Sequence, residues 1–544
     1  MPMMEKAFNL LDEPWILATS IQGEPVTLSL TDIFTQAHKL KALSGEMPAQ
    51  DIAILRLLLG VLYAVVTRMD EYRQAQEEGD DKLPIVIWKE LWDKGRFSDD
   101  EIITYLHRYH ENFYLIHPER PFYQVHNLDK GASYKAYKLI GDISQGEVTS
   151  VSNGKRLFKY RSDRLIQSIG YTEAARWLIY INSFDDASGK PSVRKTSMPS
   201  VGPGWLGKLG IIYATGDTLF ETLMLNLSLL DRNENLWEDG LATWELETPR
   251  IGERTEIPLP NNQISLLTMQ SRRIALTYTN ESITGFRALG GDFFQEENAF
   301  SELMTLWKHD VNDKTKYKPK CHDATKQLWR NFSALFSNTK DGTPRPGIIE
   351  WLTTLEYEEA IVSRHVQIRS VSVSYASAQR SATKDAWEDT ITINACLLSA
   401  IGEKWVERIP SLLETTDRLT NTLGVLAADI AMLLGDRDGS IYRQAAKEDA
   451  YFRLDIPFRC WLISIDPQLH YLDETCKVWL DTAQNILLNL GKELITQAGT
   501  RAYIGREVEQ KKKKIQYSSP EAYKKFRWNI QKHIKEGGNG YGAT

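Results

Sequence analysis

A chain of 544 residues with 42% hydrophobic and 25% charged residues has enough material for several packed cores, which excludes a disordered or low-complexity protein. The formal net charge of −7 argues against a protein that coats nucleic acid non-specifically. The charge is uneven, however: from Arg501 onward 11 Lys and Arg stand against 4 Asp and Glu, a local +7. Four cysteines, Cys321, Cys396, Cys460 and Cys476, lie far apart without a CxxC pair, which fits free thiols in a reducing cytoplasm. The N-terminus has no basic stretch followed by an apolar core, and the most apolar run, Leu57–Val66, is too short to span a bilayer, so the expectation is a soluble intracellular protein.

In chain order, residues 8–30 read as two short strands joined at Gly23, with Thr31 and Asp32 as caps of a following helix. From Pro48 to Met69, apolar residues recur at spacings of three and four (Ile52, Leu55, Leu59, Leu62, Val66), which predicts a buried helix. Helices are also predicted over 99–114 and 172–182. The Gly-rich stretch 201–210 leads into the apolar run IIYA and a further apolar segment, 219–230. Strands and loops are expected over 240–345. After residue 400 the pattern changes to long amphipathic helices. One stripe comprises Leu419, Leu423, Leu426, Ile430 and Leu433. A second runs through Trp479, Ala483, Ile486, Leu490 and Leu494 to a C-cap at Gly499, and a third through Tyr523, Phe526, Ile530 and Ile534 after an N-cap at Ser519. With the 441–464 segment these make four helices. The predicted fold class is α+β: a large mixed domain over 1–400 followed by a C-terminal four-helix bundle over 401–544.

Several motifs bear on chemistry. Lys155, Arg156, Lys159, Arg161 and Arg164 surround Phe158 and Tyr160 in a loop-like segment. Cations that neutralise phosphates beside rings that stack are the footprint of nucleic-acid contact; a solvated loop pinned by its aromatics is the alternative. Gly202, Gly204 and Gly207 match GxGxxG, but no strand precedes them, so a tight ring-packed loop explains them better than dinucleotide binding. Ser188-Gly189-Lys190 resembles the end of a P-loop, yet Phe184 occupies the first glycine position and Pro191 the metal-binding hydroxyl position, which excludes a phosphate-cradling NTPase. His309-Asp310 and His322-Asp323 are HD dipeptides, the basis for an alternative reading as a metal-dependent hydrolase. Lys314, Lys316, Lys318 and Lys320 would form one basic row in an extended segment, and Lys511–Lys514 a second cluster. Around Tyr375, small residues flank Gln379 and Arg380, a combination suited to the minor groove or to a simple turn.

Taken together, the segments resemble the CasA-type large subunit of the type I-E CRISPR surveillance complex, Cascade, over essentially the whole chain. The resemblance rests on FNLLDEPWI (8–16), TEAARWLIYINSFDDASGK (172–190), VGPGWLGKLG with TLFETLMLNL (218–227), SVSVSYASAQRSATKDAWEDT, FRCWLISIDP (458–467) and LLNLGKEL (487–494), in that order. It implies a subunit without catalytic activity or cofactor, near the 5′ end of the guide RNA. Such a subunit reads the protospacer-adjacent motif (PAM) in double-stranded DNA, helps open the duplex for R-loop formation, contacts the other Cascade subunits and receives the helicase-nuclease. Protein reads a short duplex motif while base pairing with the guide reads the long sequence, a division known from another class of RNA-guided effector and applied here by analogy. The family's first loop resembles Asn153–Arg161, its key Phe matches Phe158, and Tyr160 stands where some members have Asn. The glycine loop resembles Ala187-Ser188-Gly189-Lys190, and the strand-splitting wedge Ala378-Gln379-Arg380. The minor-groove lysine aligns near Asp292 and Phe293, where this chain has no lysine. The cysteine zinc cluster of some members has no counterpart. A purely structural assembly subunit is the remaining alternative.

Overall fold

The computed structural model describes residues 6–79, 82–126, 128–129, 131–139, 168–186, 202–254, 256–279, 282–337, 342–361, 365–375, 383–510 and 513–538. Its contacts divide the chain into two compact units. One comprises Met1–Thr325, Thr339–Ala360 and Gln367–Thr390, the other Lys326–Asn338, Ile361–Val366 and Ile391–Thr544. Residues 326–338, 361–366 and 391–400, assigned to the first domain from sequence, thus group with the C-terminal helices.

The first unit is built on the helix Pro48–Val66. Proline at its start needs no backbone donor there, and apolar side chains all round leave no face for water. The helix is 19 residues long, enough by length and composition to cross a bilayer, but it is buried along almost its whole length inside the fold. It is therefore a core helix, longer than its most apolar run suggested. It packs against the helices Tyr171–Phe184, Gln263–Leu267 and Asp99–Arg108. At Gly60 the approach is so close that a Cβ would lie 2.8 Å from Thr268 Cγ2. Its one buried cation, Arg56, forks onto Glu302 with two hydrogen bonds of 2.8 Å, and the Trp205 indole N–H donates to the same carboxylate at 2.8 Å. A buried carboxylate that accepts a guanidinium fork and a third donor is fully satisfied, and it fixes the 202–210 turn against the central helix.

Three antiparallel sheets flank this core. Ile16–Ser20 pairs with Pro25–Leu28 across a turn at Gly23 (φ 87°) and with Leu40–Leu43. The N-cap of the next helix is Ser29, whose hydroxyl accepts from the Asp32 amide, so the cap lies upstream of the Thr31 and Asp32 expected from sequence. Arg272–Thr279 pairs with Ser282–Gly290, which also pairs with Ala132–Lys135. In the third sheet, His365–Tyr375 lies between Ile211–Thr215 and Thr383–Asn394. The segment predicted as helix over 99–114 ends at Arg108; a short 3-10 turn and the strand Tyr114–Ile116 follow, before Pro118.

The second unit is a bundle of four long helices, Glu403–Leu434, Ser440–Ile463, Leu472–Gln497 and Ser519–Gly538. The α+β class with a helical C-terminal region is the one the sequence predicts. The Leu419 to Leu433 stripe is buried as expected. The seam of the third helix runs through Trp479, Ala483, Leu487, Leu490 and Gly491; Ile486 and Leu494 stand at its edge. Gly499 follows that helix at φ 71°, the left-handed geometry a C-terminal glycine supplies. The last helix is capped one residue earlier than predicted, with the Ser518 amide donating to the Glu521 carboxylate. Trp329 stacks on Phe458 with centroids 4.5 Å apart and donates to Asp455, and Arg330 lies over the Tyr451 ring at 3.5 Å. These contacts explain why residues 326–338 belong with the helices.

Candidate nucleic-acid interface

All ten candidate contact residues, Lys155, Arg156, Phe158, Tyr160, Ser188, Gly189, Lys190, Ala378, Gln379 and Arg380, lie outside the described residues. The structure does describe the positions from which their segments depart and return.

The helix Tyr171–Phe184 is the frame. Arg176 secures its first half, binding the Glu46 carboxylate and donating to the Trp15 carbonyl at 2.8 Å. At its end, Asp185 and Asp186 turn out of the helix toward Arg272. That guanidinium is fully buried; it pairs with the Asp185 carboxylate and donates to the carbonyls of Asp186 and Gly202, each at 2.9 Å. One side chain therefore holds both ends of the 187–201 segment. The Gly204 amide adds a bond of 2.9 Å to the Asp185 carbonyl. The strand His365–Tyr375 reaches the same place: the Tyr375 hydroxyl donates to the Phe184 carbonyl at 2.7 Å, and burial pushes its pKa well up, so it remains a donor. The residues on both sides of 187–201 and the residue before 376–382 are thus tied to the end of one helix.

The glycines of the GxGxxG match serve this convergence. Gly202 has φ 78°, a Cβ at Gly204 would lie 2.3 Å from the Ser183 carbonyl oxygen, and one at Gly207 would lie 2.2 Å from the Tyr375 hydroxyl. A left-handed backbone at Gly202 and close approach at Gly204 and Gly207 require glycine at all three, which accounts for the motif as a packing loop.

The 140–167 segment is rooted elsewhere. It follows the short helix Ala136–Leu139 and ends before Ile169, which exchanges backbone hydrogen bonds of 3.0 and 2.8 Å with Ile283. Ile283 lies toward the turn of the 272–290 hairpin, whereas Arg272 pairs with Gly290 at its other end. The helix Tyr171–Phe184 separates the two roots by its length, about 20 Å at roughly 1.5 Å per residue. Described flanks of two of the three candidate segments therefore lie at one end of this helix, and the residues that follow the third lie at the other.

Beside the convergence point lies a cluster that sequence reading missed. Asp292, where the resemblance would place a lysine, is buried and accepts from Arg254 Nε at 2.8 Å, from Arg273 Nη2 and, at 3.4 Å, from Arg250. Burial alone would raise its pKa, but the Arg254 hydrogen bond and the Arg273 charge hold it below the ordinary carboxylate range. Three guanidiniums face Asp292 and the nearby Glu253, leaving a positive excess, and the side chains of Arg250 and Arg254 are 34% and 39% exposed. No basic run marks these residues. The only sequence signal is Arg272-Arg273 at the start of the strand, before the apolar Ile274-Ala275-Leu276, where alternation sends the two guanidiniums to opposite faces.

The HD dipeptides do not converge. His309 Nδ1 contacts the Lys314 carbonyl at 2.8 Å, and Asp310 pairs with Lys318. His322 is buried against the Ile211 carbonyl, and burial pushes its pKa down to about 4. Among the described residues, no three His, Cys, Asp or Glu side chains are grouped to hold a metal ion. The lysine row is also broken up. Only Tyr317–Pro319 is strand, Lys318 is paired with Glu297 and Asp310, and Lys314 and Lys316 sit on an exposed turn.

The family model described as CRISPR-associated protein Cse1 matches residues 9–490 of this chain. The chain belongs to the Cse1 family. A curated relative, "CRISPR-associated protein CasA/Cse1" of Thermus thermophilus, is 24% identical over 445 residues, 80% of each chain. The crystal structure of Thermobifida fusca Cse1 matches with a TM-score of 0.81 and 27% identity, covering 98% of this chain and 99% of that one. A chain of a "CRISPR RNA-guided surveillance complex" shares the fold, with a TM-score of 0.71 at 17% identity over 97% of this chain and 100% of that one. The family assignment agrees with the CasA-type resemblance read from the sequence.

Proposed function

We propose that this Cse1-family chain is the non-catalytic large subunit of a type I-E Cascade complex, acting in the cytoplasm in antiviral defence. In this reading it recognises the protospacer-adjacent motif in double-stranded DNA and promotes duplex opening. It thereby lets the guide RNA form the R-loop, and it receives the helicase-nuclease. Its partners are the 5′ region of the guide RNA, the target duplex, and the other backbone and small subunits.

The observation that carries the reading is the shared root of the 187–201 and 376–382 segments, built from Arg272, Asp185, Gly202, Tyr375 and Phe184. A motif reader must place a groove-entering loop and a wedge within a base pair or two of each other, and rigid roots reduce the ordering cost of doing so. Gln379 is the wedge residue, Ser188 to Lys190 enter the minor groove, and Phe158 with its basic neighbours engages the guide RNA from the other end of the helix. Arg250 and Arg254 supply the cationic contact that other members make with lysine. Unstacking a base step costs a few kcal/mol, which the groove and phosphate contacts offset.

The test is a binding titration of the reconstituted complex, guide RNA included, on target duplexes with and without a matching motif. Gln379→Ala is expected to assemble normally and to lose target binding or strand opening. Equal binding and equal motif discrimination by the two proteins would refute the wedge role.

A further inference from the structure

A cavity of about 230 Å3 in the first unit lies away from the roots described above. It sits at the start of the helix Gly347–Tyr357 and is lined in part by Arg232, Arg345, Glu350 and Trp351. Its polar groups are unequally satisfied. Arg232 forks onto Glu350 with two bonds of 2.7 Å and donates to the Arg345 carbonyl at 2.6 Å, so that charge pair is closed. Asp231, which also lines the cavity, accepts from the Asn233 and Asn235 amides. Arg345 is less complete: its Nε is buried without an acceptor among the described residues, and the Glu350 carboxylate that acts on its charge is already forked by Arg232. The same holds for the indole N–H of Trp351, a residue 3% exposed whose ring is held edge-on against Trp88. Pro346 gives the helix no side-chain cap. A guanidinium Nε and a buried indole N–H, both on residues that line one cavity, thus lack an acceptor among the described residues, whereas the first amides of the helix are already bonded, Ile348 to the Leu303 carbonyl and Ile349 to that of Pro346.

We propose that this cavity binds a small carboxylate through Arg345 and Trp351. Buried donors left unmade are costly, and a carboxylate supplies acceptors without donors of its own. A planar carboxylate also suits a guanidinium fork. Three carboxylates, Asp231, Glu234 and Glu350, line the cavity with Arg232 and Arg345, and this lining disfavours a dianion more than a monoanion, which selects a monocarboxylate over phosphate at neutral pH. The cavity volume admits a ligand of a few heavy atoms and excludes a nucleotide.

The indole N–H resonances of the full-length chain report on this directly. Fifteen tryptophans give fifteen signals, and Trp351→Phe identifies the relevant one. Titration with acetate at constant ionic strength is expected to move that signal saturably. Arg345→Gln should keep the signal and weaken the response at least tenfold, because a charge-assisted hydrogen bond is lost. A signal that does not move with acetate, that moves equally in Arg345→Gln, or that responds more strongly to inorganic phosphate than to acetate overturns the proposal. Should Arg345→Gln fail to fold, the comparison of acetate with phosphate at the wild-type signal that Trp351→Phe removes still decides, and Trp351→Tyr serves for the assignment should Trp351→Phe fail to fold.

Discussion

Replacing Arg272 tests the link between packing and function most directly. The guanidinium is fully buried, and Arg272→Ala leaves the Asp185 carboxylate buried beside three carbonyls, of Ser271, Asp186 and Gly202, that lose their donor. Breaking a buried pair from one side costs about 3–5 kcal/mol. Urea unfolding followed by tryptophan fluorescence should show that loss. Arg272→Ala combined with Asp185→Asn should cost less than the sum of the single changes, because the stranded charge is gone. The functional consequence is separable. Arg272 binds both ends of the 15-residue segment 187–201, and closing a free loop of that length costs about 2.4 kcal/mol by (3/2)RT ln n. The Gly204 amide bond to Asp185 retains part of the closure. Target-duplex affinity of the reconstituted complex should therefore fall by up to about 50-fold in Arg272→Ala, with guide-RNA assembly unchanged. A variant within about 1 kcal/mol of wild type and with unaltered target affinity would refute the claim that this side chain organises the loop roots.

Three further changes probe other parts of the argument. Tyr375→Phe removes the bond to the buried Phe184 carbonyl and should cost about 1–3 kcal/mol; Gly207→Ala, whose Cβ would meet the tyrosine hydroxyl, should cost less in the Tyr375→Phe background than alone, as a double-mutant cycle in urea will read. Asp51 is pushed up to about 7 by burial, despite accepting from the Gly45 amide at 2.7 Å, so its stabilising contribution is present below about pH 4 and lost as pH rises through about 7. Asp51→Asn, which keeps an acceptor for Gly45, should flatten that profile and exceed wild-type stability at pH 8 by at most about 4 kcal/mol; lower stability than wild type at pH 8 would contradict it. In the bundle, Gly491→Ala puts a Cβ 2.4 Å from Phe526, so a substitution that favours an isolated helix by about 1 kcal/mol should here lower the unfolding midpoint, and Phe526→Leu should restore part of it.

How legible these features are depends on how locally each is determined. The helices Pro48–Val66 and Glu403–Leu434 follow from apolar spacing alone, because burial of one face or of all faces is written into neighbouring residues. The seam of Leu472–Gln497 differs from the predicted stripe by one residue at Ile486 and Leu487, since either side chain satisfies the pattern and only the facing Phe526 at Gly491 chooses between them. Ser29 is hidden as a cap because Thr31 and Asp32 carry the same chemistry two and three residues later. The three glycines after Met198 are legible as a packing loop but not as the seat of Tyr375, which is 168 residues further along the chain than Gly207.

The cations show why sequence charge is a poor guide to a binding face. Arg56, Arg176 and Arg272 are buried, and each is committed to a carboxylate from a distant segment. Desolvating a guanidinium is tolerable only with such a partner, so the most constrained arginines are the least available to phosphate. Among the lysines, Lys318 in the conspicuous row is likewise spent on Glu297 and Asp310. Arg250 and Arg254 differ because they share Asp292 with Arg273; three cations facing that carboxylate and Glu253 cannot all be neutralised, and the two partly exposed ones carry the remainder. In a chain of net charge −7, a surface suited to phosphate is therefore set by where neutralisation is incomplete, which depends on tertiary pairing and not on the count of basic residues in any window.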